Sequence, residues 1–250
     1  MCNQRRGSIL GSLVLSVITI VLFTGISLAL VMTVYSRTYA QTVGPYDVIV
    51  YEHADFIGAS RSWRLEPYMR QKLVPYVGDE INDRISSIHV GSKVGVAVFV
   101  DADFGGTFYY FQSSQQGLNL TFNDSISSLI IYPKEMLQPL GVWLMGQEQE
   151  GFYGYIFKRF FPPPELKTQG SAKYPWIGAQ MNDRAESADL YPRDPNSPAY
   201  GKIQVRLCES ANFAGRCITI PGPGSQKTVF NLGNYQFYRI TSSVEVTHKP

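Results

Sequence analysis

The sequence predicts an all-β body carried behind one membrane-spanning helix. Three observations predict it: an uncharged run of 27 residues from Ile9 to Tyr35, a remainder built of short β-type runs separated by Gly, Asn, Asp and Pro, and two short signals that recur in the same order along that remainder. As a helix rising about 1.5 Å per residue, the uncharged run would reach roughly 40 Å, which exceeds a hydrocarbon core. Residues 1–8 then form a basic segment, 9–36 a transmembrane helix or signal anchor, and 37–46 a linker broken by Gly44-Pro45. Arg5 and Arg6 precede the run and only Arg37 closely follows it, so the positive-inside bias puts the N-terminus in the cytoplasm and the body outside, in the periplasm or at the cell surface.

Composition narrows the function. Hydrophobic residues make up 44% of the chain, which excludes wholesale disorder. The net charge of +2 is uneven: residues 1–46 hold three arginines and no acid, leaving the rest with 19 basic and 20 acidic groups. A body of charge −1 argues against a nucleic-acid partner. Three histidines and three cysteines, widely scattered, do not supply the usual zinc ligand sets. Thr38-Tyr39-Ala40 before Gln41 has the small-residue pattern of a signal-peptidase site, which makes a cleaved signal peptide the second reading of the N-terminus. A third follows from Arg5-Arg6-Gly7-Ser8-Ile9-Leu10, which resembles a type IV prepilin leader processed after Gly7, although Ser12 stands where pilins carry an acid.

The first recurring signal is a large residue, four others, Phe, any residue, Gly. It occurs at Tyr51–Phe56-Ile57-Gly58, at Phe99–Phe104-Gly105-Gly106 and, with cysteine leading, at Cys208–Phe213-Ala214-Gly215; a looser copy runs from Gln147 to Phe152-Tyr153-Gly154. Such spacing fits a folded β-hairpin in which two large side chains pack while glycine takes a backbone angle closed to other residues. The second signal follows each hairpin. Asn82-Asp83-Arg84-Ile85-Ser86-Ser87 and Asn123-Asp124-Ser125-Ile126-Ser127-Ser128 agree at five of six positions, and each runs into a strand-like apolar segment.

Together these motifs resemble the βγ-crystallin family in its calcium-binding microbial form. The resemblance implies Greek-key β-sandwich domains, each made of two keys whose six-residue clamps jointly hold two calcium ions. It covers 47–133 as a first domain and, more loosely, 141–250 as a degenerate second one after a linker at 134–140. In that second domain Asn182-Asp183-Arg184-Ala185-Glu186-Ser187 and Tyr238-Arg239-Ile240-Thr241-Ser242-Ser243 stand at the clamp places. Phe161-Pro162-Pro163-Pro164 through Trp176 is then expected to be a long loop inserted in the third key.

Calcium takes six to eight hard oxygen ligands, and a clamp offers carboxylate, amide, hydroxyl and carbonyl oxygens within six residues. The family's shared-site rule pairs the second position of one clamp with the fifth of the other. It implies Asp83 with Ser127 and Asp124 with Ser86, flanked by Asn82 and Asn123 and helped by carbonyls near Arg84, Ser125 and the hairpin loops. In the second domain it leaves Asp183 with Ser242 as one further metal site, while Arg239 meets Glu186, a charge-compensating pair expected to form a salt bridge in place of an ion. Cys208 and Cys217, nine apart on the arms of the fourth hairpin, can form a disulfide if the body is exported, or remain two buried thiols. No nucleophile elbow or metal-histidine motif appears, and Glu148-Gln149-Glu150 reads as a solvated hairpin tip. The expected function is therefore non-catalytic: a membrane-anchored, exported, calcium-binding structural module. The alternative is an adhesin or pilin-like assembly subunit whose β head meets a glycan or protein partner.

Overall fold

The computed structural model describes residues 42–147, 155–164, 170–221 and 227–249. The run Ile9–Tyr35, with its anchor, signal-peptide and prepilin readings, lies outside these residues, as does the expected tip at Glu148–Glu150. Among the described residues no helix is long and apolar enough to cross a membrane.

Fifteen strands form in the described chain: β1 (Asp47–His53), β2 (Ile57–Arg64), β3 (Lys72–Val74), β4 (Ser87–Val90), β5 (Val94–Phe99), β6 (Phe108–Phe111), β7 (Ser128–Pro133), β8 (Gly141–Gln147), β9 (Tyr155–Phe160), β10 (Ser171–Tyr174), β11 (Ala185–Tyr191), β12 (Ile203–Cys208), β13 (Cys217–Ile220), β14 (Val229–Asn231) and β15 (Ser243–His248). They make four antiparallel sheets, ordered β2-β1-β4, β3-β7-β5-β6, β14-β11-β8-β9 and β10-β15-β12-β13. The crossings identify Greek keys, because a third strand leaves its own key and pairs in the partner's sheet. β3 joins β7, β10 joins β15 and β14 joins β11, while the second key makes the same crossing through a single bridge, Gln115 to Ile88.

The side-chain period of two divides the strands between different cores. In β5, Val94, Val96 and Val98 enter a cluster that runs from Val48 to Ile131, whereas Ala97 and Phe99 enter a second one with Phe104, Ile130, Tyr132 and Phe161. All six β5 residues are thus buried, and the run reads as continuously apolar rather than alternating. A third cluster extends from Leu140 to Val246. The second of these clusters brings residues of the first and second halves together: Phe104 meets Phe161 edge-on at 4.9 Å, and Phe108, packed against the cluster, meets Trp143 at 4.3 Å. Gln71 adds a polar tie, donating to the Leu140 carbonyl at 3.1 Å and accepting the Leu140 N–H at 2.9 Å, with its own side chain fully buried.

One expectation is corrected. The stretch from Phe161 to Trp176 is not a loop throughout, since β10 lies inside it and pairs along its length with β15. The prolines end β9, but Ser171–Tyr174 supplies the third key's crossing strand. Phe161 is itself buried, anchoring the start of the stretch.

Candidate functional site

The site begins with the hairpins. In three of them two successive residues take left-handed backbone angles before the glycine: Asp55 and Phe56 (φ 58° and 63°), Asp103 and Phe104 (53° and 62°), Asn212 and Phe213 (56° and 60°). Glycine follows at positive φ, at 88°, 65° and 73° for Gly58, Gly106 and Gly215. A Cβ on Gly106 would lie 2.4 Å from Val100 Cγ2, so the fold excludes any larger residue there. The leading aromatic packs on the hairpin Phe at the same 5.7 Å in both copies, Tyr51 on Phe56 and Phe99 on Phe104. In the fourth hairpin Cys208 stands directly opposite Cys217 and is disulfide-bonded to it.

The last residue of three of the clamps, Ser87, Ser128 and Ser243, holds its hairpin. Ser128 Oγ accepts the Phe104 N–H at 3.0 Å and donates to the Asp101 carbonyl at 2.6 Å. Ser87 does the same for Phe56 and His53, and Ser243 for Phe213 and Ser210. This structural role escapes a reading of the clamp as ligands alone. Its signal in the sequence is the serine that closes all four copies.

The clamps then face each other across a local pseudo-twofold. Each second-position residue is left-handed, with φ of 54° at Asp83, 53° at Asp124, 54° at Asp183 and 54° at Arg239. Its N–H donates to the fourth-position carbonyl of the opposite clamp: Asp83 to Ile126 (3.4 Å), Asp124 to Ile85 (3.0 Å), Asp183 to Thr241 (3.0 Å) and Arg239 to Ala185 (2.9 Å). The fourth-position side chains Ile85, Ile126, Ala185 and Thr241 are all fully buried, fixing each clamp on a core.

Carboxylates and hydroxyls meet in crossed pairs. Ser86 Oγ donates to Asp124 Oδ1 at 2.9 Å, Ser127 Oγ to Asp83 Oδ1 at 3.3 Å, and Ser242 Oγ to Asp183 Oδ1 at 3.4 Å. The neighbouring amide orients each carboxylate from its other oxygen, through Asn82, Asn123 and Asn182 Nδ2 at 2.7–2.8 Å. Asn82 Oδ1 and Asn182 Oδ1 are left buried without a hydrogen-bond partner. The Ser125 hydroxyl turns back to the Thr121 carbonyl at 2.8 Å. The Arg84 side chain is directed away to Glu52, a partner that the clamp motif did not reveal, leaving Arg84 its backbone carbonyl for any ligand role. The Ala59 N–H first, and then Arg84, lower the Glu52 carboxyl below its ordinary range.

The fourth crossed pair has a different chemistry. Arg239 Nε donates to Glu186 Oε1 at 2.8 Å and Nη2 approaches the same oxygen at 2.7 Å, with about one-fifth of each side chain exposed. Tyr238 OH also donates to Glu186 Oε1, at 2.8 Å, and this bond pushes the phenol's pKa up.

Among the described residues no three His, Cys, Asp or Glu side chains converge as a cage. The three Asp–Ser pairs offer instead one carboxylate with hydroxyl and carbonyl oxygens, a hard and adaptable donor set that fits calcium and not a thiolate- or imidazole-seeking metal.

Paired Greek keys, folded hairpins and clamps that exchange side chains define a class of clamp-bearing β-sandwich proteins. No protein-family model matches the chain. Spherulin-3A from Physarum polycephalum is 32% identical over 88 residues, which span 34% of this chain and 81% of Spherulin-3A. The chain belongs to the βγ-crystallin-like family. Similar solved structures include the βγ-crystallin domain of Abundant Perithecial Protein from Neurospora crassa in a Ca2+-bound form (20% identity, 38% of this chain and 96% of that one, TM-score 0.31). A βγ-crystallin domain from Clostridium beijerinckii is 26% identical, over 34% of this chain and 95% of that one, with TM-score 0.28.

Proposed function

We propose that the chain is a non-enzymatic, calcium-binding structural module, anchored by residues 9–36 and displayed outside the cytoplasm. The observation that carries the calcium reading is the crossed approach of a carboxylate from one clamp to a hydroxyl from the other, at 2.9 Å and 3.3 Å in the first domain. Asp83 with Ser127 and Asp124 with Ser86 would each hold one ion, with Asn82 and Asn123 steadying the carboxylates and the Arg84 and Ser125 carbonyls close by. Asp183 with Ser242 offers a third site of the same kind. The uncharged run and its flanking arginines support the anchored, exported disposition.

When bound, the ion supplies positive charge between clamps from two keys. The chain's own part is to hold the donors ready: left-handed aspartates aim the carboxylates, buried fourth positions fix the backbone, and closing serines tie in the hairpins. One side-chain carboxylate per site sets affinity in the micromolar to sub-millimolar range. Because the unfolded chain has no assembled clamp, hundredfold excess calcium would add about 2.7 kcal/mol of stability per site. Calorimetry on the calcium-stripped full chain tests this reading. Replacing both Asp83 and Asp124 by Ala is expected to remove two bound ions, and an unchanged stoichiometry would reject the assignment.

A further inference from the structure

The four clamps share one backbone but not one charge. Arg239 leaves the chain from the same left-handed conformation as Asp83, Asp124 and Asp183, and its N–H makes the same bond to the opposite clamp. Glu186 occupies the fifth place that Ser86, Ser127 and Ser242 fill elsewhere. At three crossings the side chains present oxygen to oxygen, an arrangement completed by a proton or a cation. At the fourth the chain supplies the cation itself, a guanidinium with two nitrogens 2.7–2.8 Å from one carboxylate oxygen. The Tyr238 hydroxyl meets that oxygen too, and its ring lies 5.2 Å from Arg239 Cζ. An arriving divalent ion would find positive charge at the place where the other crossings offer a carboxylate.

We propose that the Arg239–Glu186 pair is a built-in replacement for a divalent cation, bracing the third and fourth keys permanently where the other crossings depend on calcium. The chain then takes three ions rather than four: two in the first domain and one between Asp183 and Ser242. This rests on the calcium reading of those three crossings. Converting the pair to the composition of its neighbours tests it directly. Titrated calorimetrically with calcium chloride, the stripped full chain should bind three ions and the R239D/E186S variant four. A wild-type value of four, or a folded variant that stays at three, would overturn the replacement while leaving the calcium reading intact; a wild-type value of zero would overturn the calcium reading itself. Should the double variant fail to fold, a cycle of E186A, R239A and their combination in calcium-free buffer decides. Melting-temperature losses that are clearly non-additive support the brace, and additive losses reject it.

Discussion

His248, the last residue of β15, sits on the wall of a cavity of about 280 Å³ that it shares with Arg70 and Lys202. Burial, followed by the repulsion of those two cations, pushes its pKa down to about 4. In the unfolded chain the ring takes its proton near pH 6.5, the usual value for imidazole. Between these two values the unfolded state binds more protons, so stability rises with pH across that window; above it both states are neutral and the contribution vanishes. After allowance for the ring's partial exposure, the loss on acidification from pH 6.5 to 4 should be about 1–2 kcal/mol. Urea unfolding of wild type and His248→Gln across this range provides the check. The variant should lose the part of the slope that His248 supplies, and identical slopes would mean that the ring is not held neutral.

At the level of the element, the hairpin and clamp act as one unit through the closing serine. Ser128 is fully buried, and its hydroxyl joins β7 to both limbs of the folded hairpin between β5 and β6. Ser128→Ala strands the buried Phe104 N–H, which should cost about 1–3 kcal/mol. Ser125→Ala removes only a bond to the Thr121 carbonyl at the surface and should stay within about 0.5 kcal/mol. Denaturant midpoints that rank the two variants equally would deny the serine this role. Much of this unit was legible in the sequence, because its restraints act over short spans: the packing pair is five residues apart, the glycine follows two later, and the clamp is six residues long. The crossed pairing of clamps was legible only through the family resemblance, since Asp83 and Ser127 are 44 residues apart. The third key's crossing strand was missed. Ser171–Tyr174 is short and lies just past a proline run, and its identity as a strand comes from pairing with β15 some 70 residues on.

Across the whole molecule, the junction of the two halves turns on a residue with no local signature. Arg159 lies on β9 beside Phe160, where a cation reads simply as the solvent-facing side of a strand. It is instead buried, with its guanidinium 4.5 Å from the Trp143 ring centroid, 4.7 Å from Phe99 and 5.1 Å from Phe108. Its nitrogens donate to the carbonyls of Phe104 and Gly106, two of the three positive-φ residues of the second hairpin. Burial lowers its pKa to about 10, which still leaves it charged at neutral pH. A cation there does three things at once: it fills the space among three aromatic faces, gains from each through cation–π attraction, and satisfies carbonyls that the tight hairpin turns outward. Arg159→Ala would leave those carbonyls unpaired and a cavity among the rings, a loss of about 2–4 kcal/mol concentrated at the junction. Arg159→Met keeps most of the volume without the donors or the charge, so it should recover part of that loss. The expected calorimetric result is that a single cooperative melt in the wild type separates into two in Arg159→Ala, as each half comes to unfold on its own core, with Arg159→Met intermediate. A single unshifted transition in Arg159→Ala would show that the aromatic cluster holds the halves together without the guanidinium.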